Sequence, residues 1–117
     1  MKHYVEIRIP HDVSLYNKKM ATMKMIRFYT GFDLRKTKQY AEELENMRFI
    51  RMEVAEARSI EYTVQGAKIA RQLGILVNVK SENYLKDIKF MITDALACND
   101  FEEVKRLCDV AMSFDTL

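Results

Sequence analysis

The chain predicts an α+β fold: a three-stranded antiparallel sheet with helices packed on one face, followed by a C-terminal helical hairpin. Three observations carry that expectation. Apolar residues alternate at period two in three short stretches, they recur at helical spacing between and after those stretches, and turn-forming residues separate the segments. At 117 residues, 49% hydrophobic and 31% charged, the chain has the size of one domain with a buried core. Within it, 1–80 reads as the sheet-bearing module and 81–117 as a hairpin packed on it.

His3 to Ile9 places Val5, Ile7 and Ile9 on one side and Tyr4, Glu6 and Arg8 on the other, the pattern of a half-buried strand. Pro10 supplies no ladder donor and ends it, leaving His11 to Asn17 as a loop. Lys18 to Thr30 and Leu34 to Asn46 read as two helices. Gly31 closes the first in the left-handed conformation, and the Asp33 carboxylate caps the second. Arg48 to Val54 alternates again, with Ile50, Met52 and Val54 on one face. Ser59 is the expected cap of a third helix reaching Leu73, and Gly74 ends that helix before a third strand from Ile75 to Lys80.

Beyond Lys80 the spacing is helical throughout. Leu85, Ile88, Ile92, Ala95 and Leu96 form one apolar stripe, and Phe101, Val104, Leu107, Cys108 and Ala111 form another. Asn99 with Glu102 three residues on resembles a capping box for the last helix. The stripes must be covered. The open face of the chain's own sheet is the expected cover, with a homodimer through the hairpin or a partner as alternatives.

Cys98 and Cys108 lack the neighbouring ligands that a metal site needs and read as buried small hydrophobes. No cationic leader precedes an apolar segment and no apolar run approaches membrane-spanning length, so the expected location is cytoplasmic, without membrane contact. His3 and His11 have no evident catalytic partner, and no phosphate loop or paired carboxylates stand out. A non-enzymatic role without cofactor is expected.

Charge is unevenly distributed. Lys18 to Lys38 holds seven Lys and Arg against one Asp, whereas Glu82 to Asp115 holds eight acids against four bases. At about 100° per residue, Ala21, Thr22, Met25, Ile26 and Tyr29 gather on the core side of the first helix. Lys19, Met20, Met23, Lys24 and Arg27 gather opposite. Outward methionines framed by cations suit an adaptable surface for an acidic protein partner. The second helix opens with Arg35, Lys36 and Lys38, cations at the positive end of its dipole, a cost that function would explain.

The run KMATMKMIRFYTGFDLRKTKQYA from Lys19 resembles the first two helices of the C-terminal domain of the bacterial large-subunit ribosomal stalk protein. AKIARQLGILVNVK is similar to that domain's last helix, glycine and final strand. The resemblance covers about residues 3 to 80. It implies a docking face for translational GTPases formed by Lys19, Met20, Met23, Lys24, Arg27, Arg35 and Lys38, with methionines standing where the family has branched aliphatics. Phe32 and Asp33 depart from the family's Leu and Gly after the turn. The chain also opens at the domain's first strand, without the family's dimerisation helices and linker, and carries an added hairpin. The expectation is a stand-alone relative of phage or accessory origin that mimics the stalk or competes with it.

Nucleic-acid binding is the rival, with the seven cations tracking phosphates and Phe28, Tyr29 or Phe32 stacking on bases. The ClpS protease adaptor has the same class of fold. Its amine recognition needs acids beside an apolar pocket, and only Asp12 is near the corresponding loop.

Overall fold

A computed structural model describes residues 3–55, 58–80 and 82–111. The order is β1 (His3–Arg8), α1 (Lys19–Thr30), α2 (Leu34–Met47), β2 (Phe49–Val54), α3 (Ile60–Leu73), β3 (Leu76–Lys80), α4 (Glu82–Ala97) and α5 (Phe101–Ala111). The three strands form an antiparallel sheet in the order β2-β1-β3. The fold is therefore the α+β arrangement expected, C-terminal helix pair included.

Register explains which sheet face is covered. Val5 lies between Met52 and Val79, and Ile7 between Ile50 and Val77, so the apolar positions of all three strands share one face. They join Met25, Ile26 and Tyr29 of α1, Leu44 of α2 and Val64 of α3 in a single core. The opposite face is polar and carries its own pairings. The Arg51 guanidinium lies 4.1 Å from the Tyr4 ring centre, that of Arg8 4.9 Å from Phe49, and Lys80 bonds Glu6 at 3.1 Å.

Helix ends follow local chemistry. Asp33 accepts from the Lys36 amide at 2.8 Å and Ser59 from that of Tyr62 at 3.5 Å. Gly31 and Gly74 close α1 and α3 at φ 71° and 74°, a conformation glycine adopts without a Cβ penalty. The awkward basic start of α2 is relieved locally, since Lys36 sets its ammonium 4.1 Å from the centre of the Phe32 ring. At the start of α5 the capping role falls to Asp100, which accepts from the Glu103 amide at 3.2 Å. Asn99 instead makes the left-handed turn at φ 58°.

The hairpin departs from expectation in three respects. It packs through α5 against α3, not over the open sheet face. Leu96 and Phe101 of its apolar stripes are exposed, leaving Ile88, Leu107 and Val110 as its deeply buried residues. Cys98 and Cys108 are both exposed, because the turn after α4 and the outer side of α5 face away from α3. The stripe position Leu85 and the acids Glu82, Asp87 and Asp115 lie outside the residues whose side chains are described. Among the described residues, no helix is long and apolar enough to cross a membrane.

Candidate protein-docking groove

The first helix crosses the domain with α3 on one flank and α2 on the other. That enclosure widens its buried surface beyond the side facing the sheet, and Met23 is drawn into it with only 9% of its surface exposed. The outward pair of methionines is thus corrected to one. Met20 leaves 81% of its surface to solvent, whereas Met23, three residues before the buried Ile26, lies in the same row and joins the core.

The two methionines nevertheless belong to one feature. They line a groove of about 640 Å³ along the outer side of α1 together with Lys24, Arg27 and Phe28. Buried Met23 contributes to its floor and Met20 stands at its edge. Leu34, the first residue of α2, adds an apolar group with 63% exposure. Volume and lining are those of a cleft that takes apolar side chains.

The far wall comes from residues that the helical wheel of α1 could not supply. Arg58, just before the Ser59 cap of α3, and Tyr62 in its first turn also line the groove. The Arg58 guanidinium lies 4.2 Å from the Tyr62 ring centre, and its Nε donates to the Phe28 carbonyl at 3.5 Å. Phe28 and Tyr62 meet at 6.2 Å between centroids. Gly31 makes room for this arrangement, because a Cβ there would stand 2.8 Å from Arg58 Nη1. Helical spacing gave no signal for this wall, because Arg58 precedes the Ser59 cap and does not lie on the helix that carries Tyr62.

Lys24, Arg27 and Arg58 therefore surround an apolar groove, and among the described residues no carboxylate lines it. The remaining expected site residues lie outside the lining. Lys19 reaches Glu42 of α2 at 3.2 Å, tying the two helices together across the surface. Arg35 and Lys38 are exposed on α2 and extend the positive surface beyond the groove. The aromatic rings available to a nucleic acid are engaged internally. Tyr29 is buried, and Phe32 stacks on Tyr40 at 5.6 Å.

Such a surface binds by apolar contact at its centre and by charge at its rim. Cations at a rim raise the rate of encounter with an acidic partner and orient it, while the desolvated centre supplies most of the affinity. No family model, curated protein or solved structure matches the chain.

Proposed function

We propose that this chain is a non-enzymatic interaction module that docks an acidic protein surface in the α1 groove. The observation that carries the reading is the set of three cations, Lys24, Arg27 and Arg58, around an apolar centre with exposed Met20 and Leu34. The resemblance of residues 3 to 80 to the ribosomal stalk domain suggests translational GTPases as the partner class and a cytoplasmic setting. On that reading the chain imitates the stalk or competes with it, as a phage or accessory protein would.

Protein is favoured over nucleic acid because the groove's centre is apolar and concave, whereas phosphate tracking needs a continuous run of free cations. Lys19 is paired with Glu42, Lys36 covers Phe32, and the nearby rings are occupied.

The test is calorimetric titration of a purified bacterial translational GTPase with wild type, Met20→Asp and the Lys24→Glu, Arg27→Glu pair. Met23→Asp is unsuitable, since it would force a carboxylate into the core. Each chosen variant is expected to weaken binding by about tenfold or more while leaving the circular dichroism spectrum unchanged. Absence of wild-type binding, or equal affinity in all three proteins, would defeat the proposal.

A further inference from the structure

The turn between α4 and α5 carries the inverse chemistry of the α1 groove. Phe101, the first residue of α5, projects with 66% of its surface exposed between exposed Asp100 and Glu102. Asp94 and Asp100 line an adjoining concavity of about 240 Å³ together with Phe90 and Glu103. Among the described residues, Lys89 and Lys105 do not line the concavity, although Lys105, four residues after Phe101, shares its side of α5, and Arg106 is held by Glu103 at 3.1 Å. The α1 groove is apolar and ringed by three cations, and the α4–α5 turn carries an apolar projection with carboxylates beside it.

Among the described residues, no ion pair joins the two patches. The hairpin is joined to the rest of the domain through α5 on α3, with Arg71 and Asp109 paired at 2.7 Å. Among the described residues, Lys24, Arg27, Asp94 and Glu102 make no ion pair.

We infer that Phe101 of one chain seats in the α1 groove of a second copy, where Asp94, Asp100 and Glu102 face Lys24, Arg27 and Arg58. The ring supplies an apolar body for a methionine-lined groove, and sulfur–aromatic contact favours the pairing. Complementary charge sets the orientation. Made reciprocally, the contact closes a two-fold pair, and made once per molecule it propagates a chain of copies. The inference shares its groove with the proposed function, so self-association and an acidic partner exclude each other.

Sedimentation velocity of the full chain tests it. Wild type is expected to associate at about 50 mM salt and to bind itself at least about tenfold more weakly at about 500 mM, where screening shortens the reach of each charge. Lys24→Glu with Arg27→Glu reverses the groove, and Asp94→Lys with Glu102→Lys reverses the hairpin while sparing the Asp100 cap. Each reversed protein alone is expected to be monomeric. Mixed in equal amounts, the two recover association, because every contact again joins opposite charges. Phe101→Ala in the wild-type background is expected to weaken association by about tenfold. A wild type that stays monomeric at low salt, reversed variants that still associate, or a mixture that does not would overturn the inference. Those outcomes leave docking of an acidic protein standing, because the calorimetric titration reads that separately.

Discussion

The first and fourth helices are both amphipathic, yet α1 is enclosed by the sheet layer, α2 and α3, while α4 has α5 as its principal neighbour. Met23 of α1 lies far from the centre of its helix's apolar side and is buried. Leu96 of α4 lies within its helix's apolar stripe and is half exposed. Helical spacing names the centre of a buried face, whereas the number of packed neighbours sets its width. That number also explains why the groove belongs to α1. Helices α2 and α3 both contribute to its lining, whereas α4 with its one principal neighbour forms only the smaller concavity of about 240 Å³.

The largest effects are expected where enclosure is deepest. Ile26 of α1 and Leu107 of α5 are both fully buried. Ile26→Ala should lower unfolding free energy by about 2–5 kcal/mol, measured by urea denaturation, because the packing around it cannot collapse into the space. Leu107→Ala should fall at the low end of the same range and act locally. Amide exchange should quicken in α4 and α5 while β1 keeps its protection. Equal acceleration in β1 would mean that the hairpin and the sheet unfold as one unit, and the contrast between the two helices would lose its energetic meaning.

A smaller effect sharpens the account of how α1 meets α3. Gly66 lets the helices approach, since a Cβ at that position would lie 2.8 Å from Cε2 of buried Tyr29. The ring belongs to the core and has little freedom to retreat. Gly66→Ala should therefore cost about 1–3 kcal/mol despite the better helix propensity of alanine. A lowered thermal midpoint would agree, and a raised one would mean that α1 and α3 can part without loss.

Most of the sheet module was legible from the chain because its signals are local. Alternation in β1 and β2 requires one face to be buried, and Asp33, Ser59, Gly31 and Gly74 act on their own helix ends. The site was legible in half. Met20, Lys24 and Arg27 are exposed on the outer side of α1 as helical period predicts, but Met23 joins the core, which the wheel of α1 alone cannot represent. Leu34, Arg58 and Tyr62 reach the groove through tertiary packing alone. The hairpin was hardest to place for the same reason. An apolar stripe states that something covers it without stating what, and α5 chose the flank of α3 over the polar sheet face carrying Arg8, Arg51 and Glu6.

The smallest expected effect concerns what fastens the hairpin to the domain. Arg71 of α3 and Asp109 of α5 approach at 2.7 Å with side chains 66% and 34% exposed, so water and salt screen the pair. Arg71→Ala should cost no more than about 1 kcal/mol and less at high ionic strength. A double-mutant cycle with Asp109→Ala isolates the coupling from whatever packing each side chain provides. If the hairpin is held by apolar burial at Leu107 and Val110, the coupling will be small beside the Leu107→Ala loss. A coupling as large as that loss would instead make the ion pair the main fastening. The attachment of α4 and α5 would then weaken steeply with salt, unlike the apolar contacts that enclose α1.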